Sequence, residues 1–279
     1  MKKIGFVDLY ISEWHANNYP AWIAEAAKKL GFDYKVAYAW AEQEVSPVDG
    51  KTTDKWCEEF GVEKCETIEE LCQKSDVIVL LAPSNPEAHL SLAEKVLPFG
   101  KPTYIDKTFA PDLATAKKIF ELGKKYDTPF FSTSALRFAD ELKEFEGAKN
   151  LFITGGGGNL PEYIIHTVEM AISLLKTSVS RVKCQTVGKQ TFIKAETDQN
   201  EIGIVYSPAY GFSVCGEFED GRVIKKDVSS PFFLNLIEGM VKFFEDKNPP
   251  FNTAQTLEVM RLRDGILKSV ESPDNWIKL

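Results

Sequence analysis

The chain has 279 residues, of which 44% are hydrophobic, 27% charged and 12% aromatic. At ~150 residues per domain that length suggests two domains, and such a chain hides roughly 73% of its accessible surface on folding; the composition excludes disorder, collagen-like repeats and a disulfide-stapled miniprotein. Its 33 basic and 41 acidic residues leave a net charge of −8, which argues against a nucleic-acid partner because neutralising phosphates takes a basic surface or patch.

Met1-Lys2-Lys3 is basic, but Asp8 and Glu13 interrupt the apolar stretch behind it, so no signal peptide is expected. No run approaches the ~20 apolar residues that span a bilayer, so no membrane partner is expected. KIGFVDL (3–9) reads as a strand, and Pro20 to Leu30 as a helix closed by Gly31. Further strands are expected at 34–40, 76–82, 102–106 and 129–132. Between them lie the helical stretches TDKWCEEF, TIEELCQK, PEAHLSLAEKVL and DLATAKKIFELGKKY, with one polar insertion at 46–54. Continuous apolar strands alternating with amphipathic helices are what a parallel sheet covered on both faces requires. A doubly wound α/β domain is therefore expected over residues 1–134.

After about Asp140 the pattern changes. A strand, LFIT (151–154), leads to a helix at about 161–175. VKCQTV, EIGIVY, GFSVCGEF and RVIKKDV follow as short strands, and Glu219-Asp220-Gly221-Arg222 is a hairpin turn signal. Helices at about 232–246 and 253–270 complete an α+β domain over 135–279 with a mostly antiparallel sheet. Cys57, Cys65, Cys72, Cys184 and Cys215 are odd in number and form no Cys-x-x-Cys pair. They are expected to be reduced thiols of a cytoplasmic protein, with no metal site.

Ligands of an open parallel sheet bind beyond the carboxyl ends of its strands. A dinucleotide needs glycines at the first tip and an acid about 20 residues further on. This chain has DLYISEWH and Ala39-Trp40-Ala41 at those places. At the third tip Asn85 is a candidate N-cap and Pro86 the first helical residue, which capping chemistry alone explains. His89 then falls near the open helix N-terminus or on the surface. The fourth tip carries Asp106-Lys107, for which an ordinary surface ion pair is the plain alternative. Gly155 to Gly158 resemble a phosphate cradle without the ending of a P-loop, and tight packing against the other domain explains them equally well. Glu162, His166 and Glu169 share one face of the following helix, a stripe that either faces water or lines a cleft.

Taken together, these residues resemble the glucose–fructose oxidoreductase/inositol dehydrogenase (Gfo/Idh/MocA) family of NAD(P)-dependent oxidoreductases, over nearly all of the chain. The most specific stretch is 61–122, with its Asn85-Pro86-x-x-His89 helix start and Asp106-Lys107-Thr108 in place of the family's Glu-Lys-Pro. Ile11-Ser12-x-x-His15 resembles the loop behind the family's glycines. Gly156-Gly157-Gly158-x-Leu160-x-Glu162-x-x-x-His166-x-x-Glu169 resembles its Gly-rich segment, and Arg137-Phe138 its Arg-aromatic pair.

The resemblance implies a Rossmann-like first domain and NAD or NADP as cofactor. Tyr10, Ile11, Ser12, Trp40, Pro83, Asn85, His89 and Lys107 would line the cofactor site. Lys107 would also bind the reacting hydroxyl, His166 would be the general base oriented by Glu162, and Arg137 and Glu169 would touch a small-molecule substrate. It further implies a homo-oligomer formed through the sheet of the second domain. The departures are specific: no fingerprint glycine, no ribose acid, a missing strand and loop after Arg137-Phe138, and a short sheet domain. Trp40 would either stack on adenine or, as the favoured reading, plug the adenosine pocket. Two functions follow: a divergent sugar or polyol dehydrogenase, or a non-catalytic relative that binds a sugar-like ligand without a dinucleotide.

Overall fold

The computed structural model describes residues 1–175, 177–273 and 275–279. It divides into two compact units, Met1–Thr133 with Leu236–Thr253, and Ser134–Asn235 with Ala254–Leu279.

The first unit alternates β1 (Lys2–Asp8), α1 (Trp14–Leu30), β2 (Tyr34–Ala41), α2 (Thr53–Phe60), β3 (Glu63–Lys64), α3 (Ile68–Lys74), β4 (Val77–Leu80), α4 (Ala88–Val96), β5 (Thr103–Ile105), α5 (Leu113–Lys125) and β6 (Phe130–Phe131). All six strands run parallel in the order β3-β2-β1-β4-β5-β6. This is the doubly wound sheet expected, with the two-residue edge strand β3 added. The central strands are buried on both faces: Ile4, Phe6, Ile78, Val79 and Leu80 are all at 0% exposure. Two starts differ from expectation. Helix α1 begins six residues before Pro20, because Glu13 caps it and His15, Ala16 and Tyr19 bury its first turns. Asn85 does not cap α4; it lies in a turn whose side chain reaches Glu87, and the helix begins at Ala88.

The second unit contains β7 (Asn150–Gly155), α6 (Leu160–Leu174), β8 (Arg181–Val187), β9 (Gln190–Glu196), β10 (Glu201–Tyr206), β11 (Ser213–Glu217) and β12 (Val223–Asp227). Helix α7 (Phe232–Asp246) begins in this unit and ends in the first, where Phe243 meets Phe131 at 5.0 Å. Helix α8 (Ala254–Glu271) and β13 (Ile277–Lys278) return to the second unit. Its sheet runs β12-β11-β7-β10-β9-β8-β13, antiparallel except for β7 against β10. Strands β9 and β13 are additional to those expected. Helices α6 and α8 cover the face that buries Ile153, Ile193 and Ile204, while Phe152 and Phe192 stand 48% and 42% exposed on the other. The expected hairpin joins β11 and β12, with Gly221 at φ 83°.

Among the described residues no helix is long and apolar enough to cross a membrane. All five cysteines are free thiols. Burial pushes Cys57, Cys65 and Cys184 up to about 11 and Cys72 up to about 12, which leaves them unreactive near neutrality.

Candidate functional site

At the carboxyl end of β1 the Asp8 side chain turns inward. It is 1% exposed, and its Oδ1 accepts from the amides of Leu9 at 2.7 Å and Ala82 at 3.0 Å. Burial, and after it the charge of Glu13, push this carboxyl well above the usual carboxylate range. Ala82 is held at φ 64°, a left-handed conformation that is uncommon for a residue with a Cβ. Glu13 is the extended N-cap of α1. Its carboxylate accepts from the amides of His15 (2.8 Å) and Ala16 and lies 3.1 Å from His15 Nδ1.

His15 Nε2 stands 3.7 Å from Asp106 Oδ2, and Tyr104 donates to Asp106 Oδ1 at 2.8 Å. Asp106 is 1% exposed, so the surface ion pair considered for Asp106-Lys107 is not formed. Burial foremost raises the phenols of Tyr19 and Tyr104 well above their ordinary value, which keeps them protonated hydrogen-bond donors. The carboxyl tips of β1 and β5 thus carry three buried acids and an imidazole.

The residues expected to line a cofactor site part company here. Lys107 is half-buried, and its ammonium donates to the carbonyl of Pro83 at 3.1 Å. Asn85 is half-buried beside it in sequence, and Trp40, near the end of β2, lies 5.7 Å beneath the Lys95 ammonium. Tyr10 is also half-buried. Ile11, however, is a core residue at 1% exposure. Ser12 is equally buried and donates to Asp49 at 2.8 Å, which ties the turn to the 46–54 loop. His89 is the second residue of α4, near its N-terminus as expected, but its side chain is not on the surface. At 0% exposure, its ring nitrogens lie 2.6 Å from Leu81 O and 3.0 Å from Phe109 O, and burial lowers its pKa. It clamps two loops from within the core.

In the second unit Asn159 caps α6 by accepting from the Glu162 amide at 2.9 Å, and donates in return to the Glu162 carboxylate at 3.1 Å. One turn on, His166 is half-buried between the rings of Tyr163 and Phe212, with Nδ1 2.7 Å from Ser134 Oγ. Phe212 also lines an open groove of about 430 Å³ with Thr154, Tyr210, Lys225 and Asp227. Glu169 is 2% exposed and accepts from Arg137 Nε, while Arg137 Nη1 donates to Gln255 at 2.6 Å. The stripe is therefore split, Glu162 and His166 part-exposed and Glu169 in the core. The Arg137–Glu169 pair pins the 135–138 turn to α6 and α8.

The glycine run is no cradle either. A Cβ on Gly156 would lie 1.7 Å from Ser207 O, and one on Gly157 would lie 1.9 Å from the Tyr163 ring, so this close packing is internal to the second unit. Sequence reasoning misses Glu13 and Ser134. Glu is not a favoured N-cap type and Pro20 draws the eye further along. For Ser134 the only signal is its place ahead of a short turn, where a hydroxyl caps an amide.

For a nicotinamide dinucleotide, implied by the resemblance, the polar groups at these tips are the Lys107 ammonium, bonded to Pro83 O, and the Asn85 amide, bonded to Glu87. The β1–α1 turn does not suit a diphosphate: each residue from Leu9 to Ser12 carries a side chain, and Glu13 already holds the helix amides. Among the described residues no group of three or more His, Cys, Asp or Glu is arranged to hold a metal ion.

No protein-family model and no curated protein sequence matches the chain. Solved structures of Gfo/Idh/MocA-type dehydrogenases do share its fold. UDP-N-acetylglucosamine 3-dehydrogenase from Acidithiobacillus ferrooxidans superposes with a TM-score of 0.78 at 11% identity, covering 97% of this chain and 98% of that one. An NAD binding oxidoreductase from Klebsiella pneumoniae gives 0.75 at 15% identity, with 99% and 98% covered. A scyllo-inositol dehydrogenase from Lactobacillus casei gives 0.75 at 13%, also with 99% and 98% covered.

Proposed function

We propose that this chain is an oxidoreductase that acts on a hydroxyl group of a sugar, polyol or related small molecule, with His166 as general base. The observation that carries this reading is the His166 ring, held at Nδ1 by Ser134 and still part-exposed. Ser134 Oγ already accepts from the Leu136 amide at 3.3 Å. A hydroxyl oxygen has a second lone pair for Nδ1–H, and in the tautomer that uses it Nε2 is the basic nitrogen. An imidazole titrates in the right range to take the proton of a carbinol. NAD or NADP, the cofactor implied by the resemblance, would accept the hydride. Glu162 supports α6 as half of its cap, and Arg137 and Glu169 fix the neighbouring turn.

The test is nicotinamide reduction against a panel of inositols, aldoses and nucleotide sugars. His166→Gln is expected to lower kcat at least ~100-fold with little change in KM, the usual size of a lost general base. An unchanged kcat would remove His166 from the chemistry. A second reading, a relative that binds a sugar-like ligand without turnover, starts from the closed β1–α1 turn. It predicts that calorimetry finds a sugar ligand while every substrate in the panel stays unoxidised.

A further inference from the structure

We propose that Glu13 is a built-in substitute for phosphate at the N-terminus of α1, so that the first unit gives the ADP half of a dinucleotide no foothold there. A helix N-terminus binds a diphosphate through unpaired amides and the positive end of its dipole. In this chain the amides of His15 and Ala16 are both taken by one carboxylate, which is itself 6% exposed. The next amide, Asn17, is already bonded to the backbone oxygen of Glu13 at 3.0 Å. The amides at the neighbouring tips are used in the same way: Leu9 and Ala82 both donate to Asp8.

Two side-chain carboxyls therefore hold four backbone donors. A diphosphate would have to displace Glu13 and would leave it buried beside Asp8 and Asp106. Leu9, Tyr10, Ile11 and Ser12 keep the turn bulky where glycines would let a phosphate approach. Affinity for NAD or NADP must then come from the nicotinamide end, a consequence that rests on the oxidoreductase reading above.

ADP-ribose separates the two, because it carries the ADP half and no nicotinamide. Calorimetry of the purified protein is expected to show no ADP-ribose binding up to millimolar concentration. Glu13→Gly and Glu13→Ser, which both leave acceptable N-cap residues, should bind it at least ~10-fold more tightly than the parent, a gain of about 1.4 kcal/mol. The parent should also bind NADH and reduced nicotinamide mononucleotide within about threefold of each other, a difference of about 0.7 kcal/mol.

Micromolar ADP-ribose binding by the parent would overturn the proposal. So would two variants that melt cooperatively, like the parent, yet gain no affinity. A parent that binds neither NADH nor the mononucleotide would defeat the oxidoreductase reading and leave the ADP-ribose comparison to judge Glu13 alone.

Discussion

Asp8 shows how far a single side chain can depart from its solution chemistry. Its carboxyl is shut away from water, with Glu13 as an acidic neighbour, so its folded pKa stands well above 3.8. An acid raised in this way holds its proton more tightly folded than unfolded. It favours the folded state at low pH, and that advantage is lost as pH climbs from the unfolded value of 3.8 through the higher folded one. Asp8→Asn keeps an oxygen for the Leu9 and Ala82 amides and cannot ionise. Urea midpoints should show the variant gaining on the parent as pH rises from acidic to mildly alkaline, and a pH-independent difference would refute the assignment. Lys107, His166 and Glu13 are ordinary residue types whose meaning comes from their neighbours: a carbonyl, a hydroxyl and two amides.

Among the elements, α6 and the loop before it are the most tightly specified. Gly156 sits where any Cβ would collide with the backbone of Ser207, which cannot move aside as a flexible side chain can. Gly156→Ala should therefore cost about 1–3 kcal/mol, the usual penalty of overpacking, with the loss read from urea unfolding. A neutral result would mean that the run serves a ligand and not packing. Helix α1 teaches the complementary point. Pro20 removes one backbone donor, yet the helix passes through it, because the Glu13 cap and the burial of His15, Ala16 and Tyr19 hold the turns that precede it. Strands β3 and β13 have two residues each and leave no periodic trace. Strand β9 does alternate, with Ile193 and Ala195 inward against Phe192 and Lys194 outward, so its pattern is legible.

In the whole molecule the open face of the seven-stranded sheet is the largest consequence of the fold for association. A groove of about 370 Å³ there is lined by Phe152, Phe192, Lys183, Lys194 and Trp276. The homo-oligomer implied by the resemblance would cover it with a second copy. Light scattering is expected to give a dimer or larger assembly, and Phe152→Lys should reduce it to a monomer. A parent that is monomeric at micromolar concentration would end that expectation.

Several features were set by the sequence alone: the alternation of buried strands with amphipathic helices, the change to an antiparallel sheet, and the absence of fingerprint glycines. Each is written in local composition and period, which neighbours in the chain suffice to express. Only the tertiary structure could decide that His89 and Ile11 are core, that Arg137 and Glu169 neutralise each other, and that Glu13 fills the helix end. Those outcomes depend on which distant groups meet and on how little water remains around them. A linear pattern holds neither quantity.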